Sequence, residues 1–167
     1  RASGEASGVE LAPHTPVSFG LTGSEVSIEG TLCSGSGVAL ACCSVEQDSS
    51  YWEAVVEALP DGGGFGVGLA REMGPEQLNQ STPAVWDGET AWGLESKGTG
   101  PAFAVGDVIG VLVDFNALPM ASFSRNGEDL PRMAVHRVKG TVFPAVAVRG
   151  GAALRLEFQQ FKYPPPR

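Results

Sequence analysis

Histidine, cysteine and positive charge are all scarce in this sequence. Its 167 residues include two histidines and three cysteines, and 19 acidic residues outnumber 11 basic ones, for a formal net charge of −8. Two histidines cannot form a three-histidine centre, so we expect no metal. The negative charge repels phosphate backbones and anionic membrane surfaces, and no apolar run approaches the roughly 18 residues of a membrane helix. We therefore expect neither a nucleic-acid partner nor a membrane association.

The three cysteines, Cys33, Cys42 and Cys43, form no CxxC pair, and their odd number does not suit a disulfide framework. A reducing compartment suits such a set, and we find no apolar region typical of a signal peptide. We expect an intracellular protein, either cytoplasmic or associated with the cytoskeleton. Because the chain begins at Arg1 rather than at Met, the question of whether its N-terminus is processed stays open.

Motifs for nucleotide binding and hydrolysis are also missing. Residues 62–68 (GGGFGVG) are rich in glycine, but no register of them gives GxGxxG and no helix pattern follows. We interpret these glycines as parts of a turn and a tightly packed strand. Ser36 stands between two glycines, which does not match the GxSxG of serine hydrolases. The sequence therefore predicts no cofactor and no activity of these classes.

Two pairs of reactive side chains have ordinary structural interpretations. Glu53 and Glu57 would share one strand face about 13 Å apart, at roughly 3.3 Å per residue. That separation favours a solvated face over a general acid–base pair. Cys42 and Cys43 are adjacent in a predicted strand, so their side chains should point to opposite faces. Cys42 is then expected to be a small core residue.

The sequence does contain a series of short strand patterns. The clearest lies in residues 106–127 (GDVIGVLVDFNALPMASFSRNG), where every second residue from Val111 is apolar. A turn and a second strand, at 120–125, follow. Asn126-Gly127 then predicts a tight hairpin turn, because both central residues of a type I′ turn need positive φ.

Comparable strand patterns recur at 26–29, 38–43, 51–57, 65–70, 141–148 and 152–158. The last two flank residues 149–151 and predict another hairpin, and residues 85–94 are expected to hold a strand on either side of Asp87-Gly88. Gly74-Pro75 opens one short helix at 76–80, since proline suits the first helical position. Many short strands and almost no helix predict an antiparallel β-sandwich, with a closed barrel as the alternative.

These patterns predict one folded domain, residues 17–166, which ends at three consecutive prolines. Residues 1–16 are rich in Gly, Ser, Ala and Pro and offer little apolar surface to offset ordering entropy, so we expect a flexible tail. Trp52 and Trp92 are expected in the core. The same core should contain the apolar residues of the central and last strands: Val111, Val113, Phe123, Leu154, Leu156 and Phe158.

Five segments, taken in order, resemble a SPRY domain: 51–57 (YWEAVVE), 64–70 (GFGVGLA), 91–94 (AWGL), 106–127 and 142–158. The resemblance extends over about residues 17–166. Leu78-Asn79-Gln80, residues 139–144 (KGTVFP) and the closing prolines resemble the small single-domain members of that family. One departure is Leu118-Pro119, which stands where a glycine commonly starts the second strand of the central hairpin.

The resemblance implies a bent antiparallel β-sandwich of the B30.2-like, concanavalin-like jelly-roll kind. It also implies binding of protein partners through loops at one end of the sandwich, without catalysis. The peptide-binding residues of other SPRY subgroups have no clear counterparts in this sequence, so none is assigned from them.

We therefore predict a non-enzymatic protein-interaction module, an adaptor or structural subunit of a larger assembly. The candidate surface is the connection 71–86, which is long and polar and ends in an aromatic residue, since loops on a rigid sandwich concentrate recognition residues. Trp86 would be its apolar anchor, with Gln77 and the hydrogen-bonding groups Asn79 and Gln80 beside it.

Three alternatives to this interpretation stay open. Leu78 and Trp86 would simply pack the connection onto the sandwich in the first. In the second, the chain is an enzyme with a carboxylate site in a loop cleft. In the third, it is a lectin-like sandwich that binds a small molecule or glycan.

Overall fold

A computed structural model gives the structure of this protein and describes residues 18–46, 48–80, 82, 85–97, 102–116 and 118–165. The predicted tail, residues 1–16, therefore lies outside the described residues. Regular structure in the described ranges is mainly strand, with one helical turn, α1 (Pro75–Leu78), and one 3₁₀ turn (Pro131–Met133). The strands are β1 (Phe19–Thr22), β2 (Glu25–Glu29), β3 (Leu32–Ala41), β4 (Ser49–Ala58), β5 (Gly64–Ala70), β6 (Ala91–Glu95), β7 (Val108–Asp114), β8 (Met120–Arg125), β9 (Glu128–Asp129), β10 (Val135–His136), β11 (Phe143–Arg149) and β12 (Ala153–Glu157).

Two antiparallel sheets share the long strand β3. The first sheet has the order β1-β3-β11-β5-β6, and the second has β2-β3-β12-β4-β7-β8, with β9 and β10 both paired to β8. The first half of β3 pairs with β2 and β12, and its second half pairs with β1 and β11. Gly35 and Gly37 lie where β3 passes between the sheets, with φ of +96° and +133° that disfavour other residues.

The core lies between the inner faces of these sheets. On β4, Trp52, Ala54 and Val56 point inward, and on β7 Ile109, Val111 and Val113 do the same. The six predicted core residues (Val111, Val113, Phe123, Leu154, Leu156 and Phe158) belong to this one buried cluster, so that prediction is confirmed. Trp52 and Trp92 are also buried in it, at 0% and 4% exposure. The β-sandwich prediction is confirmed as well.

Of the predictions that concern turns, one is confirmed and two are wrong. Asn126 and Gly127 have φ of +52° and +87°, as the predicted type I′ turn requires, and β8 and β9 pair on either side of it. Residues 149–151 do not form a hairpin: β11 belongs to the first sheet and β12 to the second, so this turn carries the chain between sheets. Of the two strands predicted around Asp87-Gly88, only β6 forms.

Candidate functional site

The connection between β5 and β6 folds back onto the outer face of the first sheet. On β3 and β11, residues that face the core alternate with residues on the outer face of the sheet. The outer-face residues form a second buried cluster: Val38, Leu40, Ala145 and Ala147. Met73, Leu78 and Val85 of the connection are buried in that cluster, and Trp86 packs against it. The described part of the connection is therefore a packed layer over the sheet rather than an extended loop.

The helical turn α1 fixes the first half of this layer. Pro75 occupies a first-turn position, and the Gln77 side chain accepts a hydrogen bond from the Gly74 N–H at 3.3 Å. Leu78 points into the sheet at 5% exposure. Its carbonyl oxygen lies against Gly23, where an added Cβ would come within 2.4 Å of it. The predicted helix is thus present, although it ends at Leu78 rather than at residue 80.

Trp86 lies across two glycines of neighbouring strands. A Cβ at Gly66 would lie 2.2 Å from Trp86 Nε1, and a Cβ at Gly93 would lie 2.6 Å from ring atom Cε3. The indole N–H donates to Thr82 Oγ1 at 3.3 Å, and the side chain is half-buried. These glycines make room for a flat aromatic ring, which gives part of the glycine-rich segment 64–68 a packing role within β5.

A polar cluster fixes the second half of the layer at Thr82, which is 3% exposed. The Thr82 hydroxyl donates to Glu95 Oε1, and Arg149 Nε donates to the Thr82 carbonyl at 3.1 Å. Burial raises the pKa of Glu95, against the opposing effects of the Thr82 hydrogen bond and the Arg149 charge. The Glu95 Oε2 atom is buried and has no hydrogen-bond partner among the described residues. The cluster attaches the connection to β6 and β11.

The predicted site residues lie within this one layer. Asn79 Oδ1 accepts hydrogen bonds from the Ser24 N–H at 2.8 Å and from the Ser24 hydroxyl at 3.2 Å. The carbonyl oxygen of the Asn79 side-chain amide is therefore engaged within the protein. The rest of the Asn79 side chain and Gln80 are exposed, whereas Gln77 and Trp86 are half-buried. Sequence reasoning missed Ser24 and Thr82, because their partners are 55 and 13 residues away along the chain.

Asp87 closes the loop that leads into β6. Its Oδ1 accepts hydrogen bonds from the backbone N–H groups of Glu89, Thr90 and Ala91 at 2.8, 2.7 and 3.1 Å. Burial alone would raise the pKa of Asp87, but these hydrogen bonds to the charged form prevail and hold the pKa below its ordinary value of 3.8. The ionised carboxylate therefore stabilises the loop beside Trp86.

We expect the stabilising effect of Asp87 to disappear in acid. Because its pKa is lower in the folded state than in the unfolded state, its contribution is present above the ordinary value of 3.8 and is lost as pH falls through the folded-state pKa. Asp87→Asn should cost under about 1 kcal/mol at pH 7, because the carboxylate is largely exposed to water. Urea denaturation of both proteins from pH 7 to pH 3 measures this. A difference that persists undiminished at pH 3 would contradict the assignment.

The sequence predicted that Glu53 lies on a solvated face. This prediction is wrong, because the side chain is buried and only 1% exposed. Its Oε1 accepts from the Lys162 N–H at 2.8 Å, and its Oε2 accepts from the Tyr51 hydroxyl and the Tyr163 N–H, both at 2.8 Å. Phe161 meets the Tyr51 ring edge-on, with centroids 4.9 Å apart. Residues 161–165, the C-terminal strap, therefore cover the part of the outer face of the second sheet around Glu53 and bury this carboxylate.

An open groove of about 450 Å³ lies beside the C-terminal strap. It is lined by Tyr51, Leu112 and Met120 on the sheet and by Pro131 and Tyr163 on the flanking segments. Its size is within the range of small-molecule sites. Burial, and next the hydrogen bond to Glu53, raise the pKa of Tyr51, which keeps this hydroxyl neutral.

The cysteines also differ from expectation. Cys33 is fully buried, and burial raises the pKa of its thiol to about 12. Cys42 is exposed rather than in the core, because β3 ends at Ala41, one residue before it. The two sulfur atoms of Cys42 and Cys43 lie 3.7 Å apart, so the side chains do not point to opposite faces.

No group of three or more His, Cys, Asp or Glu side chains in the described ranges could hold a metal ion. Within those ranges, no helix has the length and apolar character needed to cross a membrane.

Known proteins resemble this chain in sequence. The family model of the SPRY domain matches residues 49–161, more than half of the chain. SPRY domain-containing protein 7 of Gallus gallus and that of Homo sapiens are each 29% identical to it over 143 residues, which covers 79% of this chain and 68% of the relative.

Solved structures share the fold. The SPRY domain of human HERC1 matches with a TM-score of 0.60 at 20% identity, covering 82% of this chain and 94% of that chain. The TRIM65 PSpry domain matches with a TM-score of 0.67 at 13% identity, covering 86% of this chain and 93% of that chain. SPRY domains generally serve as protein–protein interaction modules. On the extent of the family match, this chain belongs to the SPRY domain family.

Proposed function

We propose that this protein is a non-catalytic interaction module, an adaptor or structural subunit of a larger assembly, that binds a partner protein through the connection 71–86. The observation that carries the proposal is the contrast within this connection. Leu78, Thr82 and Val85 bury it on the sheet, while Asn79 and Gln80 remain exposed. The intracellular location expected from the cysteines is part of the proposal.

A surface held in this way suits recognition. Association costs side-chain and loop ordering, and a loop already fixed in its bound conformation avoids much of that cost. Ser24 holds Asn79 at one end of the exposed stretch, and Thr82 holds the chain at the other. Asn79 and Gln80 would then present amide groups to a partner, with Gln77 beside them and the exposed edge of Trp86 as the apolar contact.

The test is a matched pair of substitutions that each introduce one positive charge. Gln80→Arg changes the proposed surface, and Gln160→Arg changes another exposed glutamine, which precedes the C-terminal strap. Affinity purification with mass spectrometry identifies partners of the unaltered chain, and titration calorimetry with a purified partner then gives Kd. We expect Gln80→Arg to raise Kd at least tenfold, about 1.4 kcal/mol, and Gln160→Arg to leave it unchanged. Equal affinities for the two variants would contradict the proposed surface.

Trp86→Ala should lower both stability and partner affinity. Removing the ring leaves Gly66 and Gly93 uncovered, so we expect a loss of about 2–3 kcal/mol, below that of a fully buried tryptophan. Trp86→Phe keeps a ring but loses the hydrogen bond to Thr82, for a loss of about 1 kcal/mol. Urea denaturation measures both. Unchanged stability of Trp86→Ala would contradict the packing described above, and an unchanged Kd of its folded form would remove Trp86 from the binding surface.

A further inference from the structure

Cys42 and Cys43 lie in a bend held at both ends by backbone hydrogen bonds. The Cys42 N–H donates to the Ser18 carbonyl at 3.1 Å, and the Val45 N–H donates to the Val142 carbonyl at 2.8 Å. Between these points the chain leaves β3 and turns, so that the two neighbouring thiols meet on one side of it. Their sulfur atoms are 3.7 Å apart and within hydrogen-bonding distance of each other.

The two thiols are also accessible, unlike the third. Cys42 is exposed and Cys43 is half-buried, whereas Cys33 is 0% exposed in the core. Solvent exposure and a neighbouring thiol that can resolve a sulfenic acid are two features of redox-sensitive cysteines, whereas buried cysteines are inert. Cys33 therefore serves as an internal reference of the same residue type within the same fold.

We propose that Cys42 and Cys43 form a vicinal dithiol that a peroxide-class oxidant converts reversibly into a disulfide. The Cys42 thiolate attacks one peroxide oxygen, the O–O bond breaks, and water leaves once the departing oxygen takes up a proton, which gives a sulfenic acid. The Cys43 sulfur then forms the S–S bond to Cys42 and displaces the hydroxyl group as a second water, with the Cys43 proton. Two thiols are oxidised by two electrons, and one peroxide is reduced to two waters.

The geometry supports both the reaction and its order. To form a disulfide the sulfurs must approach from 3.7 Å to about 2.05 Å. The movement stays within two adjacent residues and includes rotation of their side chains and distortion of the peptide bond between them. Cys42 is the more exposed thiol and so meets the oxidant first. Burial, followed by the hydrogen bond and charge of Cys42 and the charge of Glu46, raises the pKa of Cys43, which suits the second, resolving role.

Reversibility follows from the spacing of the two residues. Adjacent Cα atoms are about 3.8 Å apart, closer than the roughly 4.4–6.8 Å of an ordinary disulfide. The resulting ring is strained, and strained, exposed disulfides are the ones that cellular thiols reduce readily. The Cys42–Cys43 bond would therefore form under peroxide and disappear with glutathione.

Intact-mass spectrometry of the full chain tests this directly. The protein is treated with one equivalent of hydrogen peroxide, alkylated in the folded state, and digested for tandem mass spectrometry. We expect loss of two hydrogen atoms per molecule, a peptide with an internal Cys42–Cys43 disulfide, and recovery of both thiols after glutathione. Cys33→Ala should behave identically, because Cys33 takes no part.

Cys42→Ser and Cys43→Ser should each abolish the two-hydrogen loss, and circular dichroism checks that both remain folded. Should either variant unfold, the disulfide-containing peptide of the Cys33→Ala protein decides the question without it. Sulfenic or sulfinic acid at Cys42 with Cys43 still alkylatable would overturn the proposal. Disulfide-linked dimers in place of the intramolecular product would also overturn it.

Discussion

Glu53→Ala should destabilise the protein by about 3 kcal/mol and release the C-terminal strap. The substitution removes the acceptor of the N–H groups of Lys162 and Tyr163. It also removes one of two acceptors of the Tyr51 hydroxyl, which keeps the Tyr163 carbonyl at 2.7 Å. Each buried donor left without a partner costs about 1–3 kcal/mol, less where water enters. Urea denaturation measures the stability. Limited trypsin digestion measures the strap, since cleavage after Lys162 should become faster once its backbone is no longer held.

Glu57→Ala is the matched control, because Glu57 is the same residue type on the same strand face. Glu57 is partly exposed and paired with Arg155, with its Oε2 2.7 Å from Arg155 Nε. Partly exposed ion pairs contribute about 0–1 kcal/mol, so this variant should lose little stability and keep its trypsin resistance. Similar losses for Glu53→Ala and Glu57→Ala would show that the strap does not depend on the buried carboxylate.

Gly68→Ala should be comparably damaging, for a steric reason. Gly68 of β5 pairs with Gly93 of β6, and an added Cβ would lie 2.1 Å from the Trp92 carbonyl oxygen. Backbone cannot move aside as a flexible side chain can, so the pairing of β5 with β6 must open. We expect a loss of about 3 kcal/mol and a fall in Tm of roughly 6–12 °C.

Gly74→Ala separates this clash from a general effect of removing glycine. Nothing lies within 4 Å of a Cβ at Gly74, and its φ of −81° suits alanine. Its stability should change by less than about 0.5 kcal/mol. If calorimetry finds equal Tm values for the Gly68 and Gly74 variants, the close approach of β5 and β6 is not a constraint on this fold.

Local features of this protein could be predicted from the sequence because their causes are local. The Asn126-Gly127 turn needs only two residues that tolerate positive φ, and both have it. Residues 149–151 contain equally good turn residues, yet the strands around them join different sheets. Turn chemistry shows where a chain reverses, whereas the partner of the next strand depends on residues elsewhere in the chain.

The candidate site was predictable as a location but not as a geometry. Alternation placed Glu53 on the outer face of β4, and it could not show that residues 161–165 cover that face. The length and polarity of the connection 71–86 indicated a candidate surface. That Trp86 would lie on Gly66 and Gly93 depends on a pairing of β5 with β6 that no periodicity reveals.

Hydrogen exchange of the free protein and of its complex with a purified partner tests the central claim most directly. The proposed surface predicts slower exchange on binding at the amides of residues 76–80, which belong to α1 and the exposed stretch after it. Exchange at the C-terminal strap and in the groove beside it should stay unchanged. Protection confined to the strap and groove, with residues 76–80 unaffected, would contradict the proposed surface.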